Sequence, residues 1–462
     1  MDITTGLLKG DCLEQLKQLP DNSVDSIVSD PPYGLEFLDK SWDSFKGAGR
    51  VERADEGTDA SHPFRDGAPR IEYGFGGEAS TNFQKWFTEV ATECYRVLKP
   101  GGHILAFGAS RTYHRLACAV EDAGFEIRDS IHWTYGTGFP KSMDVSKQLD
   151  KRAGVERTEV IGTKNVVKAV DSREDRPNVS GYGVKPNQKG ELVEVEVLAP
   201  ATPEAKQWQG WGTALKPSHE PIVVGRKPID GTVAQNVLKY GTGAINVDAC
   251  RVGETGGTAR DGKATEPTEA GWTNMKGHAV GEIDDGRWPA NTLLTHDPNC
   301  GVRCEPSCPV GELDATNKDK QGGVSRFFNV LNYSEADHPA FLYIAKPTKK
   351  EKNLGLEGMP EKKADERDEK GAGLWADRNA VQSNFHPTVK PVALMRHLIR
   401  LVTPPNGIVL DPFLGSGTTA VAAILEGKQW VGCEITEDYW GIIEARTEWA
   451  TEQVATTPQT LL

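Results

Sequence analysis

Long hydrophobic segments are absent from this chain. Crossing a bilayer takes about 18 uninterrupted apolar residues, and no stretch of the 462 residues reaches that length. The first residues, MDITTGLLKGDCLEQLK, include acidic side chains and no long apolar run, which excludes a secretory signal. We therefore expect a protein that stays inside the cell that makes it and has no membrane partner.

Cysteine and net positive charge are also scarce. The eight cysteines are too few and too scattered for a disulfide scaffold, so reduced thiols are expected. A net charge of −13 excludes a surface coated with phosphate-binding side chains. It does not exclude nucleic acid, because one local basic face is enough to bind phosphates. The length allows two or three domains, or one large domain with an inserted module.

Strands and helices alternate in the amino-terminal part of the chain. Residues 24–28 predict a short buried strand, and residues 103–107 predict another. Between them, residues 47–82 are rich in glycine, charge and proline and are expected to form a mobile loop. A helix should begin at the N-cap Asn82, because the apolar side chains after it recur at helical spacing. This alternation favours a layered α/β architecture.

A polar, glycine-punctuated middle separates this part from a second α/β segment. The middle runs from about residue 141 to residue 383 and contains one clear strand, at 220–224. After it, an apolar stripe predicts a helix over 391–401, and strands are predicted at 407–410 and 429–434. Two α/β segments therefore flank the middle.

A glycine-rich turn joins the strand at 407–410 to the next helix. In the segment from Asp411 to Ala420, glycines allow the backbone to approach a ligand, and the helix N-terminus offers free N–H groups. Glu434 ends the following strand and can accept hydrogen bonds from ribose hydroxyls. The pattern fits a nucleotide-type ligand, and a tight structural turn is the alternative.

The sequence Ser29-Asp30-Pro31-Pro32-Tyr33 directly follows the strand at 24–28. Prolines hold a rigid turn, so the Asp30 carboxylate and the Pro31 carbonyl form two acceptors for the two hydrogens of an amino group. The Tyr33 ring offers a surface on which a flat base can stack. The alternative is a strand-ending turn with a solvated aspartate.

Few residues follow Glu434, so the remaining strands of the sheet must come from the amino-terminal half. The first and last segments then meet in one permuted sheet, whose ligands lie at the carboxyl ends of the strands. Asp30 and the glycine turn are therefore expected at the same edge.

Together the two motifs resemble those of the β group of amino-methylating DNA methyltransferases, in which the catalytic motif comes first and the cofactor loop last. Gly10-Asp11 is similar to the family's adenine-contacting acidic position. Residues 384–391, Asn-Phe-His-Pro-Thr-Val-Lys-Pro, are similar to its motif before the cofactor strand, and residues 287–291 resemble phage-type members. The resemblance covers about residues 1–140 and 380–450.

The resemblance implies a permuted, Rossmann-like, S-adenosylmethionine-dependent methyltransferase fold of the α/β class with an inserted target-recognition region. It implies an amino-terminal part at 1–227, a target-recognition region at 228–383 and a cofactor-binding part at 384–455. The expected activity is transfer of a methyl group from S-adenosyl-L-methionine to adenine N6 in double-stranded DNA. The expected location is the cytoplasm of a bacterial or phage-infected cell.

The resemblance also implies direct transfer to a base that is flipped out of the duplex, which costs a few kcal/mol. The implied catalytic residues are Asp30, Pro31, Pro32 and Tyr33. The implied cofactor-binding residues are Asp11, His386, Lys390, Asp411, Phe413, Gly415, Ser416, Gly417, Thr418 and Glu434. No metal ligand is among them.

Other functions stay open on the sequence alone. Asp-Pro-Pro-Tyr also occurs with cytosine-N4 specificity, and a chain without activity could hold DNA and cofactor. A nicotinamide oxidoreductase built on the glycine turn would leave the Asp30 motif unexplained. A cytosine-C5 enzyme would need a nucleophilic cysteine, typically after a proline, and no Pro-Cys pair exists. The recognition sequence, a homodimer and a separate restriction nuclease also stay open.

Two smaller clusters each allow two interpretations. His296, Cys300, Cys304 and Cys308 are evenly spaced and could bind one zinc ion, but the usual Cys-x₂-Cys pair is missing, so free thiols are the alternative. The basic patch, defined as Lys346, Lys349, Lys350 and Lys352, either contacts DNA phosphates or forms a solvated surface turn.

Overall fold

The structure is a computed structural model with fifteen strands and eleven helices in the part of the chain that it describes. It describes residues 5–34, 77–135, 142–168, 191–252, 257–260, 279–283, 288–295, 308–316, 329–331, 349–363 and 381–456. The strands are β1 (Gly6–Lys9), β2 (Val24–Ser29), β3 (Leu98–Phe107), β4 (Glu126–Thr134), β5 (Val160–Lys168), β6 (Glu191–Leu198), β7 (His219–Arg226), β8 (Gly257–Arg260), β9 (Ala279–Ile283), β10 (Thr292–Thr295), β11 (Asn329–Leu331), β12 (Lys362–Lys363), β13 (Val381–Gln382), β14 (Ile408–Asp411) and β15 (Gln429–Glu434). The helices are α1 (Cys12–Leu16), α2 (Gly77–Val97), α3 (Tyr113–Asp122), α4 (Val145–Ala153), α5 (Pro203–Gln207), α6 (Val233–Tyr240), α7 (Pro309–Thr316), α8 (Lys349–Lys352), α9 (Val392–Val402), α10 (Thr418–Leu425) and α11 (Glu437–Thr456).

The main sheet has nine strands in the order β1-β15-β14-β2-β3-β7-β4-β10-β11. Neighbouring strands are parallel, except that β7 runs antiparallel to both β3 and β4. β1 and β2, from the start of the chain, enclose β14 and β15, from its end. The expected permuted, Rossmann-like α/β fold is therefore confirmed.

Helices cover both faces of this sheet. On one face, α9 and α10 pack through side chains such as Leu398 and Val421, which are buried in one cluster with Val409 of β14. On the other face, Phe87 of α2 is buried in a second cluster with Ile27 of β2. All six residues of β2 are buried, as expected for a parallel strand that is covered on both faces. The ends of the strands are therefore the places where a ligand can approach the sheet.

Helix α2 begins at Gly77, before the predicted N-cap Asn82. The predicted loop at 47–82 therefore ends too late, because residues 77–82 belong to α2. The helical spacing of apolar side chains starts only at Phe83, so the polar first turns of the helix carry no signal in the sequence. Residues 47–76 lie outside the described residues.

Strand β7 brings the predicted strand at 220–224 into the main sheet. Its antiparallel direction sets Ile222 opposite Phe107, at the end of β3. It sets Glu220 opposite Trp133, near the end of β4. The first residues of β7 therefore lie at the same edge as the carboxyl ends of the parallel strands.

Residues 138–217 form a separate compact unit, while residues 1–137 and 218–462 form the larger one. Within the smaller unit, β5 and β6 make an antiparallel hairpin. Asp150 of α4 is buried and forms an ion pair with Arg157 at 2.7 Å. Its carboxylate also accepts hydrogen bonds from the backbone N–H groups of Ala201 and Thr202. The buried carboxylate of Asp150 thus connects α4 with the segment just before α5.

The predicted target-recognition region at 228–383 is described in part, and its role stays a prediction. β10 and β11 extend the main sheet beyond β4. Just before β10, Asn291 donates to Asp129 Oδ1 of β4 at 3.1 Å. Arg287, which precedes this segment, lies outside the described residues.

The two smaller clusters are described only in part. Cys308 is buried, whereas His296, Cys300 and Cys304 are not described, so the zinc interpretation stays open. Lys346 of the basic patch is likewise not described. Within the described ranges, no group of three or more His, Cys, Asp or Glu residues could hold a metal ion. No described helix is long and apolar enough to cross a membrane.

Candidate active site

The carboxyl ends of β2 and β14 bring the two sequence motifs side by side. The strands are parallel neighbours, with Ile27 opposite Leu410. The Ser29 hydroxyl donates to Asp411 Oδ1 at 2.5 Å. The Asp30 motif and the glycine turn therefore start at adjacent points of one edge, as the sequence predicts.

Asp411 supports the start of the glycine turn. Its carboxylate accepts hydrogen bonds from the Ser29 and Thr419 hydroxyls and from the backbone N–H of Phe413. Burial raises the pKa of Asp411 to about 6, against these hydrogen bonds. These three hydrogen bonds give Asp411 a supporting role at the start of the glycine turn.

The glycine turn presents backbone rather than side chains. Gly415 and Gly417 have φ angles of +56° and +82°, a region that side chains larger than hydrogen rarely adopt. Gly417 is the N-cap of α10 and has no side chain with which to cap it. The first N–H groups of that helix are therefore the kind of donor that polar and anionic ligands use.

Glu434 ends β15 beside this turn, and Asp11 follows the neighbouring strand β1. The Glu434 carboxylate accepts hydrogen bonds from the backbone N–H groups of Gly415, at 2.8 Å, and Thr436, at 2.7 Å. Burial raises the pKa of Glu434. β1 pairs Lys9 with Glu434, which brings Asp11, the N-cap of α1, to the same edge.

Aromatic rings surround the turn. Phe413 packs against Trp86 of α2 with ring centroids 5.6 Å apart. His386 lies against Gly415 and contacts Tyr439 edge-on, with ring centroids 4.9 Å apart. Burial lowers the pKa of His386 to about 3, so its imidazole is neutral at physiological pH.

Arg446 supports the glycine turn through hydrogen bonds and is not among the residues predicted from the sequence. Its buried guanidinium donates to the Ser416 carbonyl at 2.6 Å, to the Ser416 hydroxyl at 3.1 Å and to the Thr418 hydroxyl at 3.2 Å. A signal does exist, because Arg446 shares a helical face with the buried residues Ile442 and Ile443. A charged residue on an apolar face indicates a buried partner.

Asp30 lies in a buried cluster of charged and phenolic groups. Its Oδ2 atom is 2.5 Å from Lys390 Nζ, and its Oδ1 atom accepts a hydrogen bond from the Tyr33 hydroxyl at 2.8 Å. Lys390 also donates to the Tyr33 hydroxyl at 3.0 Å and lies 5.0 Å from the centre of the Phe107 ring. The Asp30 carboxylate thus already binds an N–H donor.

Glu220 adds a second carboxylate to this cluster and is not among the predicted site residues. Its Oε2 atom is 3.4 Å from Lys390 Nζ and 3.1 Å from the Tyr33 hydroxyl, which donates to it. The Tyr135 hydroxyl donates to Oε1 at 3.3 Å. An acid at the start of an apolar strand is visible in the sequence, but its place at this edge depends on the antiparallel direction of β7.

The electrostatics of this cluster favour a charged lysine. Burial by itself would lower the pKa of Lys390, but the carboxylates of Asp30 and Glu220 raise it above the ordinary value. Burial, together with the same two carboxylates, raises the pKa of Tyr33, which keeps its hydroxyl protonated. Two acids therefore share one ammonium group.

The predicted site residues form two groups at one edge of the sheet. The Asp30 motif, in which Pro31 is buried, forms one group. Lys390 joins that group through its contact with Asp30, although the resemblance assigns it to the cofactor. The other predicted cofactor residues line or support the glycine turn.

Comparison with known proteins gives a consistent result over most of the chain. A family model described as DNA methylase matches residues 24–151 and 284–445, which are more than half of the chain. The Type II methyltransferase M.HindIII of Haemophilus influenzae is 22% identical over 445 residues, which cover 94% of this chain and 93% of that protein. The DNA adenine methyltransferase YhdJ of Escherichia coli is 48% identical over 54 residues, which are 12% of this chain and 18% of that protein. Among solved structures, the cytosine-N4-specific PvuII DNA methyltransferase is 12% identical with a TM-score of 0.38, over 97% of this chain and 91% of that chain.

Proposed function

The chain belongs to the DNA methylase family, and we propose that it methylates N6 of adenine in double-stranded DNA. Its reaction class is methyl transfer to an exocyclic amino group, N6 of adenine or N4 of cytosine. Its cofactor is S-adenosyl-L-methionine, and its substrate is DNA.

The observation that carries the proposal is the buried pairing of Asp30 with an amine. Asp30 Oδ2 lies 2.5 Å from the Lys390 ammonium, so the pocket binds an N–H donor through a carboxylate. An exocyclic amino group of a base offers the same kind of donor. A carbonyl substrate, which has no hydrogen to donate, would have no need of a buried acceptor at this position.

The edge around the glycine turn fits an adenosyl cofactor. Gly415 and Gly417 allow close approach of the backbone, and the Glu434 carboxylate can accept hydrogen bonds from ribose hydroxyls. The buried Nδ1 atom of His386 has no hydrogen-bond partner among the described residues, and a polar ligand at the turn would satisfy it. We assign contact with the adenine ring to Asp11, which follows β1 at this edge of the sheet. When bound, the cofactor supplies a methyl group on a positively charged sulfur atom.

The chain's own residues position the target nitrogen and raise its electron density. The Asp30 carboxylate and the Pro31 carbonyl accept hydrogen bonds from the two amino hydrogens of the base. Tyr33 provides a ring for stacking, worth roughly 1–3 kcal/mol, which offsets part of the cost of flipping the base out of the duplex. The contribution of these residues is orientation and fixed charge, with no covalent bond to the base.

The choice of adenine rests on the Asp30 motif and on the local match to YhdJ, a DNA adenine methyltransferase. Analysis of digested DNA by mass spectrometry tests it. We expect N6-methyladenine in DNA from cells that express the protein and far less in DNA from cells that express the Asp30→Asn variant. Detection of N4-methylcytosine instead would show that the target base is cytosine, within the same reaction class.

The proposal extends to how DNA is bound. We assign target recognition to residues 228–383 and phosphate contacts to the basic patch. Long-read sequencing of DNA from cells that express the protein reports the modified base and the recognition sequence together. The mass of the purified protein in solution tests for a homodimer. A nuclease gene next to the gene of this protein would support a separate restriction nuclease.

A further inference from the structure

Lys390 lies between two carboxylates at the candidate active site. Its Nζ atom is 2.5 Å from Asp30 Oδ2 and 3.4 Å from Glu220 Oε2. The Tyr33 hydroxyl lies 2.8 Å from Asp30 Oδ1 and 3.1 Å from Glu220 Oε2. The two acids, the phenol and the ammonium therefore form one connected group.

This position of Lys390 sets a condition on base entry. A target amino group needs Asp30 as its acceptor, and the Lys390 ammonium holds Asp30 Oδ2 in the structure. The Lys390 side chain is only 8% exposed, so moving it away from every carboxylate would leave an unpaired charge in buried surroundings. Base entry therefore requires a second acceptor for the ammonium within reach of a small movement.

We propose that Glu220 is a positioning residue that receives the Lys390 ammonium when the target base takes Asp30. The inference rests on the proposed function, in which the base amino group binds Asp30. The ammonium is already within ion-pair distance of Glu220 Oε2, so the exchange needs only a short rotation of the lysine side chain.

The surroundings of Glu220 prepare it for this role. The Tyr135 hydroxyl donates to its other oxygen, Oε1, at 3.3 Å, which fixes the orientation of the carboxylate. Pairing of β7 with β4 sets its backbone opposite Trp133. The carboxylate therefore stays in place while Lys390 moves.

The exchange keeps the charge of the pocket constant. One ammonium is paired with a carboxylate before and after the base enters, so no charge has to leave the buried site. Once Lys390 is on Glu220, Asp30 Oδ2 is free to accept a hydrogen bond from the amino group of the base. Glu220 thus acts on the reaction through Lys390 and does not touch the base.

A double-mutant cycle on the full-length protein tests this inference. The rate of a single turnover is measured with labelled S-adenosyl-L-methionine and saturating unmethylated genomic DNA, for the wild type, Glu220→Gln, Lys390→Gln and the double variant. We expect Glu220→Gln to slow the wild type by about tenfold or more and to slow the Lys390→Gln protein by no more than about twofold. Cofactor affinity, measured by equilibrium titration, should be the same in the wild type and in Glu220→Gln.

Two further variants control for folding and for loss of charge alone. Glu126→Gln removes a carboxylate at the opposite end of the same strand pair, where Glu126 binds Arg226 at 2.6 Å, and should turn over at the wild-type rate. Tyr135→Phe removes only the hydroxyl that orients Glu220 and should slow the wild type in the same direction, by a smaller factor. It keeps the test decisive if Glu220→Gln does not fold.

The outcomes separate this inference from the proposed function. Equal reductions in rate from Glu220→Gln in both backgrounds, or no reduction in the wild type, would overturn the exchange and leave the methyltransferase assignment standing. A wild-type protein that transfers no label to DNA would overturn the proposed function, and the exchange with it.

Discussion

The ring of His386 occupies the space into which a side chain at Gly415 would extend. A Cβ atom built on Gly415 would lie 2.8 Å from His386 Nε2, and the φ angle of Gly415 is +56°. The segment before α9 and the glycine turn after β14 therefore fit together only because position 415 has no side chain. This fit makes the turn sensitive to a single added methyl group.

Gly415→Ala is expected to lower the free energy of unfolding by roughly 2–4 kcal/mol, from the left-handed backbone and the contact with His386. Gly427 is a matched control, because its φ angle is +63° but nothing lies within 4 Å of an added Cβ atom. Gly427→Ala should therefore cost only about 1–2 kcal/mol. Urea unfolding measures both values, and equal destabilisation would contradict a steric role for His386.

Asp30→Asn is expected to reduce the rate of methyl transfer to DNA by about 10²–10³-fold, because the amide offers a weaker acceptor and no negative charge. Cofactor affinity should stay close to that of the wild type, since the glycine turn is intact. The control is Asp122→Asn, at an exposed aspartate of α3 that contacts Gln84. Labelled methyl transfer measures the rates, and full activity of Asp30→Asn would remove Asp30 from the mechanism.

Glu434→Gln is expected to weaken the binding of S-adenosyl-L-methionine by about tenfold, because a charge-assisted hydrogen bond to a ribose hydroxyl is replaced by a neutral one. Glu437→Gln, at an exposed position at the start of α11, is the control and should bind like the wild type. Titration calorimetry of each protein with the cofactor measures the difference. Unchanged affinity in Glu434→Gln would place the ribose elsewhere.

His103 is expected to make the protein less stable in acid. Burial, with Arg226 and Arg128 nearby, lowers its pKa from 6.5 to about 4. Below pH 6.5, His103 therefore binds a proton in the unfolded chain, whereas in the folded chain it stays unprotonated until about pH 4. The free energy of unfolding should fall through this window by up to about 1.4 kcal/mol per pH unit from this residue.

The variant His103→Gln tests this acid dependence. Its stability relative to the wild type should be constant above pH 6.5 and should improve steadily as the pH falls towards 4. Urea unfolding at several pH values gives both curves. Parallel curves across the whole range would show that His103 takes up its proton equally in both states.

Replacing the basic patch, Lys346, Lys349, Lys350 and Lys352, by glutamine is expected to weaken DNA binding without changing the recognition sequence. The slope of log affinity against log salt should become shallower by about one for each DNA phosphate that the variant no longer binds. The carbonyl of Lys352 accepts a hydrogen bond from Asn384 at 2.8 Å, which ties this segment to the motif that carries Lys390. Lys239→Gln, at an exposed lysine paired with Asp230, is the control, and an unchanged slope in the patch variant would favour a solvated turn.

The sequence predicts the main elements of the fold because buried strands and helices carry recognisable patterns of apolar residues. The apolar run at 24–28 and the strand at 407–410 are both visible, and the order of the two motifs that follow them predicts a permuted sheet that contains both strands. The polar first turns of α2 carry no such pattern, since they bury little apolar surface. Within residues 138–217, β6 carries an alternating apolar pattern, but a pattern for one strand does not show that the segment forms a separate unit.

The site is predicted where a motif carries it and missed where geometry does. Asp30 and the glycine turn belong to recognisable motifs, and the structure brings them together. Glu220 reaches the site only because β7 is antiparallel, and the direction of a strand cannot be read from its own residues. Arg446 is missed because its place on an apolar helical face indicates a buried partner but does not show that this partner is the glycine turn, 30 positions earlier.

The permuted order of the sheet sets when the protein can become active during its synthesis. β1 pairs with β15, and β2 pairs with β14. Both early strands therefore lack these partners until the residues after 407 have been synthesised and have left the ribosome. Until then β1 has no neighbour in the sheet, and one side of β2 exposes unpaired backbone groups. A prematurely released chain would carry Asp30 but no glycine turn, and the cell would hold no partial enzyme able to modify its chromosome.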